Sequence, residues 1–116
     1  MVRFQETLRR LAMIDESFVE DEAGLRLDLQ GTPALDSTTV ALLRVGVSVA
    51  MGSPGDSIGW SAARALAAGA SADQIADVLM AIAPMAGLGR ITAAVPDLAT
   101  ALGYDIEAAL EEPDDP

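Results

Sequence analysis

The sequence contains no cysteine, no histidine and no lysine among its 116 residues. Without cysteine, the chain can form no disulfide, no thiolate nucleophile and no thiolate metal ligand. Without histidine, it also lacks the side chain that most often transfers protons near neutral pH and most often binds metals. These absences exclude thiol redox chemistry and imidazole catalysis by the chain's own side chains.

Aromatic residues are scarce as well, at 3% of a chain that is 51% hydrophobic. The core must therefore be built from alanine, leucine, valine, isoleucine and methionine. Small side chains let helices approach closely, but each of them buries little apolar area. One small domain of this composition leaves apolar helix surface exposed, so we expect it to associate with further copies of itself.

The charge balance is strongly acidic, with a formal net charge of −11. All seven basic residues are arginines, and they are scattered rather than clustered. We therefore predict no nucleic-acid partner, because no broad surface can replace phosphate counterions. The longest uncharged apolar run, Val78–Gly89, contains Pro84 and is too short to cross a bilayer. We expect a soluble, cytoplasmic protein with no membrane contact, no metal and no cofactor.

The longest regular pattern begins at Asp36, a typical N-cap residue. From Ser37 to Met51 apolar residues lie on nearly every face, and Arg44 is the only charged side chain. This pattern predicts a central, mostly buried helix. It allows two roles for Arg44: the side chain reaches the surface or pairs with a carboxylate, or it points into a pocket and binds an acidic ligand.

Three further helices are predicted after the central one. The middle helix is capped by Asp56 or Ser57 and ends at Gly69. The third begins with the capping box Ser71–Gln74 and is kinked at Pro84. The remaining predicted features are breaks at Gly87 and Gly89, a last main helix over Arg90–Leu102 with a kink or restart at Pro96, and a short turn from Asp105 to Leu110.

The flanking segments carry weaker patterns. Arg3–Met13 is predicted as a short amphipathic helix. Residues 24–30 alternate as a strand does, but no partner strand is predicted, so we interpret them as an extended arm. The acidic run 20–22 is interpreted as a solvated face rather than a metal site. The predicted organisation is lead-in helices and arm over 1–34, a helical domain over 35–110, and an acidic, disordered tail over 111–116.

A polar face on the middle helix is the main candidate site. Ser57, Ser61 and Arg64 follow at i, i+4 and i+7, and Trp60 lies beside them. The serines can hydrogen-bond a small molecule, the indole can stack on it, and the arginine can hold a carboxylate. The ordinary structural interpretation is that the first serine is a cap, the second packs between helices, the indole is core and the arginine is surface.

Three residues outside this face are added to the candidate site. Asp56 joins the two serines as a candidate catalytic residue, because it is the only acid near the turn that can move a proton. Arg44 and Arg90 join Trp60 and Arg64 as candidate substrate-binding residues, because each can pair with an anionic group.

Three consecutive segments resemble a known family. They read LDSTTVALLRVGVSVAMG at 35–52, WSAARALAAGA at 60–70 and ADQIADVLMAIAPMAG at 72–87. Their order is similar to the carboxymuconolactone decarboxylase family, which includes the alkylhydroperoxidase D-like proteins. The resemblance covers residues 35–90. It implies an all-α, alkylhydroperoxidase D-like helical bundle that assembles as trimers or hexamers.

The chain departs from this family at its best-known chemistry. The redox branch implies a Cys-x-x-Cys motif, a histidine and a glutamate, which the shared segments align with Pro54 and Ser57, Ser61 and Ala41. None of these residue types is present there. Thiol peroxidases need one thiolate to attack the peroxide and a second thiol to resolve it, so we predict no peroxidase activity. The decarboxylase branch implies the same glutamate and histidine, so its reaction does not transfer either.

The sequence supports two functions. The first is binding, or non-redox processing, of a small organic, anionic molecule at the polar face. The second is a non-catalytic structural or interaction oligomer whose ancestral site has decayed. A concave, accessible pocket at the polar face favours the first function, whereas Trp60 packed over Ser57 and Ser61 favours the second.

Overall fold

The computed structural model describes residues 2–13 and 31–112 of the chain. Helices are the only regular secondary structure in these two ranges, which confirms the all-α prediction. The predicted arm at 24–30, the acidic run at 20–22 and the last four residues of the tail lie outside them. The helices are α1 (Arg3–Ala12), α2 (Ser37–Ala50), α3 (Gly55–Ala67), α4 (Ala72–Ala86), α5 (Leu88–Ala101) and α6 (Ile106–Glu111).

Helix α2 is central, as predicted, and contacts α3, α4 and α5. The Asp36 carboxylate caps it by accepting a hydrogen bond of 2.8 Å from the Thr39 backbone N–H. Hydrogen bonds from Thr39 also lower the pKa of Asp36. Burial is one-sided, however, because Leu43 and Val47 are about half exposed. The expectation of a mostly buried helix is therefore wrong for the face that carries these two residues.

Helix α3 begins earlier than its predicted caps. Its N-cap is Pro54, which makes no side-chain capping bond, and neither Asp56 nor Ser57 is the cap. The Ser57 N–H already donates to the Pro54 carbonyl at 2.9 Å, so the first turn closes before either polar side chain is reached. At the other end the chain turns at Gly69, where φ is 96°, as expected for a glycine that follows a helix.

The predicted capping box opens α4. Ser71 Oγ accepts from the Gln74 N–H at 3.0 Å, and Gln74 Oε1 accepts from the Ser71 N–H at 2.9 Å. The helix continues past Pro84, and Gly87, with a φ of 89°, separates it from α5. Gly89 is not a break, because Gly87 alone supplies the left-handed residue that the turn needs.

Helix α5 begins at Leu88 and runs unbroken through Pro96, so the predicted restart there is wrong. Helix α6 is capped by Asp105, whose carboxylate accepts from the Ala108 N–H at 3.0 Å, as predicted. Small side chains fill the interior between α2, α3, α4 and α5, and this confirms the expected composition of the core. The buried apolar residues are Ala41, Val45, Val49, Ile58, Ala62, Ala65, Ala70, Ile75, Ala94, Leu98 and Ala99.

Candidate functional site

A pocket of about 310 Å³ opens between α2 and α3. Four of its lining residues come from α3, and they are the four residues of the predicted polar face. The other four come from α2. The described lining residues are Ala41, Arg44, Val47, Ser48, Ser57, Trp60, Ser61 and Arg64.

Trp60 is not a core residue, because 48% of its surface is exposed. The Arg64 guanidinium carbon lies 4.7 Å from the centre of its ring. These two residues are one helical turn apart, and the contact is a cation–π interaction. The indole therefore holds the guanidinium at the pocket while part of the ring stays open to a ligand.

The two serines that α3 contributes to the pocket have different surroundings. Ser61 is buried, and its hydroxyl donates to the Ile58 carbonyl at 2.8 Å. That bond uses the proton of Ser61 within its own helix, as a residue with a packing role does. Ser57 is exposed at the start of α3 and keeps its side chain at the pocket.

Helix α2 contributes Arg44, which is partly buried and lines the pocket as the second of its two proposed roles requires. Sequence reasoning missed Ser48, which lies beside it. A signal was present, because Ala41, Arg44 and Ser48 are spaced at i, i+3 and i+7 and therefore share one side of the helix. The apolar residues around them concealed this short polar stripe.

Two of the candidate residues are not brought to the pocket. Asp56 lies exposed in the first turn of α3 and is absent from the described pocket lining. Arg90 lies at the start of α5 and lines a separate groove. Its guanidinium lies against Gly52, at a point where an added Cβ would overlap it. The position of Arg90 depends on how α5 packs against the turn that contains Gly52, and the sequence pattern of α5 alone does not predict that packing.

The described lining residues define the chemistry that is available. They include two guanidinium groups, three hydroxyls and an indole, and among them there is no carboxylate, imidazole or thiol. The described ranges also contain no group of three or more acidic, histidine or cysteine residues that could hold a metal ion. Nor is any helix in those ranges long and apolar enough to span a membrane.

The pocket also joins positions that are far apart in the sequence but related by the family resemblance. The resemblance implies that Ala41, Ser57 and Ser61 take the positions of the glutamate, one cysteine and the histidine of the redox branch, and all three line this one pocket. Pro54, implied for the other cysteine, is the N-cap of α3 and lies outside the described lining. Three of the four implied positions are therefore neighbours in space.

Comparison with known proteins agrees with the segments that carry the resemblance. The model of the carboxymuconolactone decarboxylase family matches residues 22–99, about two thirds of the chain. No curated protein and no solved structure shows a significant match. The matched range contains α2, α3, α4 and most of α5, with the whole of the pocket between α2 and α3. The chain belongs to the carboxymuconolactone decarboxylase family.

Proposed function

We propose that this family member binds a small organic anion in the pocket between α2 and α3. The observation that carries the proposal is the convergence of Arg44 and Arg64 on one small pocket. The chain as a whole has a net charge of −11, whereas the described lining of this pocket includes two guanidinium groups and no carboxylate. An anion would be attracted to this site and held by charge-assisted hydrogen bonds.

The pair Trp60–Arg64 supports an organic rather than an inorganic anion. A guanidinium stacked on a ring loses little further freedom when it binds a carboxylate. The exposed part of the indole offers an apolar surface to the rest of the ligand. A volume of about 310 Å³ is at the small end of the range for ligand sites, so the ligand is a small molecule.

Binding is better supported than turnover. Non-redox processing needs a group that moves a proton, and Asp56, the acid assigned to that role, does not line the pocket. Ser61 already donates its proton to Ile58. Thiol peroxidase activity is not proposed, because the 116 residues contain no cysteine to form the thiolate.

A second function, a non-catalytic structural or interaction oligomer, is favoured by a different observation. An apolar groove lies between α2 and α4, and its exposed leucine, valine and methionine side chains are typical of a surface that another chain covers. The family resemblance implies trimers or hexamers, and we propose a homo-oligomer. Ligand binding and self-association use different sides of α2, because the pocket and the groove share only Val47 among their described lining residues.

Trp60 is the only tryptophan, so its emission reports on the pocket directly. The protein is titrated with a panel of aromatic acids, lactones and acyl compounds, and saturable quenching by the acids is expected. Arg64→Gln is then compared with the wild type by calorimetry, because that change also alters the surroundings of the indole. Loss of a charged hydrogen bond costs about 1.5–3 kcal/mol, so affinity should fall about tenfold or more.

Arg90→Gln is the matched control, since it removes the same charge outside the pocket. It should leave the affinity unchanged. Equal affinities for Arg64→Gln and the wild type would refute the assignment of the anion to this pocket. A flat Trp60 response, with blue-shifted emission throughout the panel, would favour the structural oligomer.

A further inference from the structure

The groove between α2 and α4 has a volume of about 710 Å³, compared with about 310 Å³ for the pocket between α2 and α3. One wall is a row of residues from α2 and the other a row from α4. Met85 on the α4 wall is 94% exposed, and Leu43 on the α2 wall is about half exposed. The described lining residues are Thr39, Leu42, Leu43, Gly46, Val47, Ala50, Val78, Ala81, Ile82, Met85, Ala86 and Arg90.

Helix α1 carries an exposed apolar stripe, which is the convex counterpart of the apolar groove. Phe4, Leu8 and Leu11 are spaced at i, i+4 and i+7, which puts them on one side of the helix. None of the ten residues of α1 is buried, and Phe4 and Leu8 are 62% and 60% exposed. A helix of this length with an open apolar stripe has little stability alone and gains it from tertiary packing.

The net charge of α1 is opposite in sign to that of the rest of the chain. Helix α1 carries three arginines and one glutamate, a net charge of +2, so the rest of the chain carries −13. Arg90 is the only charged residue among the described lining residues, and two acidic residues lie next to that lining in the sequence: Asp36, the cap of α2, and Asp77, one turn before Ala81 on α4. The groove therefore fits the apolar stripe of an amphipathic helix, and the acidic body as a whole attracts a basic one; α1 has both properties.

Building on the homo-oligomer proposed above, we propose that α1 of a second copy of this chain docks in the groove between α2 and α4. Phe4, Leu8 and Leu11 enter the apolar groove, and the arginines of α1 face the acidic body of the neighbour. In the structure of one chain, no described α1 residue lines the groove and the α1 stripe is uncovered. When each copy docks its α1 in the groove of another copy, the α1 stripe and the groove are both covered. Repeating this contact around a symmetry axis gives a closed assembly.

Cysteine cross-linking tests this pairing cleanly, because the natural chain has no cysteine. One preparation carries Leu8→Cys, and a second carries either Met85→Cys or Leu43→Cys, one from each wall of the groove. The two preparations are mixed and oxidised, and the products are separated by mass. A disulfide forms only between Cα atoms that approach within about 7 Å, so the mixed product reports direct apposition.

Met80→Cys and Leu110→Cys are the matched controls, since both side chains are exposed and neither lines the groove. The expected result is a mixed disulfide between the α1 chain and a groove chain that is absent with the control chains. Absence of this product at both groove positions, or equal yields at the control positions, would overturn the proposal. So would a double variant, Leu8→Cys with Met85→Cys, that closes only within one chain on dilution.

Sedimentation gives an independent measurement. Leu43→Arg places a charge in the groove without altering the anion pocket and should shift the protein from oligomer to monomer. Leu8→Glu should do the same from the other partner, whereas Leu110→Arg should leave the mass unchanged. A wild-type protein that sediments as a monomer, or an oligomer that both groove variants leave intact, contradicts the proposal.

Discussion

The pocket between α2 and α3 and the groove between α2 and α4 share Val47, yet their other side chains differ in kind. The pocket brings together hydroxyls, an indole and two guanidinium groups. The groove is lined mainly by aliphatic side chains and methionine, with Arg90 at one end. One helix therefore supplies a polar surface on one side and an apolar surface on the other.

The difference follows from spacing along α2. Arg44 and Ser48 are four residues apart and face α3, whereas Leu43 and Gly46 are three apart and face α4. Between these two sides, Val45 is fully buried and fixes the helix against the core. The apolar residues of α2 therefore form two stripes: one packs in the core, and the other is left exposed by the described residues of the same chain.

The largest expected effect is on the core that supports both surfaces. Ile75 is the fully buried residue of α4, and Ile75→Ala should lower the free energy of unfolding by about 2–5 kcal/mol. Ile75→Val removes one methylene and should cost about 0.5–1.5 kcal/mol. Urea denaturation measures both variants. Equal midpoints for Ile75→Ala and the wild type would mean that the two surfaces do not depend on this core.

Changing one surface at a time tests most directly whether the pocket and the groove act independently. Arg64→Gln should weaken anion binding by about 1.5–3 kcal/mol and leave the sedimenting mass unchanged. Leu43→Arg should reduce the mass and leave the binding constant unchanged, because Leu43 lines only the groove. Calorimetry and sedimentation on both variants give the four results. If either variant changes both properties, the two surfaces are coupled rather than separate.

Gly52, in the turn between α2 and α3, provides a test with a smaller expected effect on stability. Gly52 has a φ of 65°, and a Cβ added there would overlap the Arg90 guanidinium. Gly103 has a similar φ of 73° with nothing within 4 Å of the added atom. A left-handed residue with a side chain costs about 1–2 kcal/mol, so both alanine variants should be less stable than the wild type.

Gly52→Ala should cost more than Gly103→Ala, because only the former also displaces Arg90. Thermal denaturation measures the difference between the two variants. Since Arg90 lines the groove and not the pocket, Gly52→Ala should leave anion binding intact. Identical losses of stability would indicate that the position of Arg90 contributes nothing to the fold.

The smallest expected effect concerns α1. Hydrogen bonds from Arg9 and then Arg10 lower the pKa of Glu6 from 4.5 to about 2. A depressed carboxyl pKa stabilises the helix fully above 4.5, and this contribution is lost as the pH falls through about 2. NMR chemical shifts of α1 should therefore show a loss of helix between these values in the wild type. Glu6→Gln should show no such step, and an equal step in both would contradict the role of Glu6.

The features that the sequence predicted correctly are those set by neighbouring residues. Asp36 and Ser71 cap helices through bonds to N–H groups three residues away, so their patterns identify them locally. The start of α3 was misplaced because a backbone bond to Pro54 opens the helix before a polar cap is available. Polar residue type alone does not indicate that bond.

The candidate site likewise contains some residues that local spacing predicts and others that depend on helix packing. Trp60 and Arg64 share one helix, so their spacing predicted that they lie together. Arg44 reaches the same pocket only because α2 packs against α3, and the sequence left its role open. Asp56 and Arg90 were grouped with these residues by charge, but their helices direct them elsewhere. Proximity between helices depends on packing that no local pattern reports.

The central claim is that the pocket between α2 and α3 recognises the negative charge of a small organic molecule. Calorimetric titration of the wild-type protein with benzoate and with benzamide tests it, because the two compounds share a ring and differ in charge. Saturable binding of benzoate, about tenfold or more tighter than that of benzamide and lost in Arg64→Gln, is the predicted result. Equal affinity for the two compounds, or benzoate binding that persists unchanged in Arg64→Gln, would contradict the account.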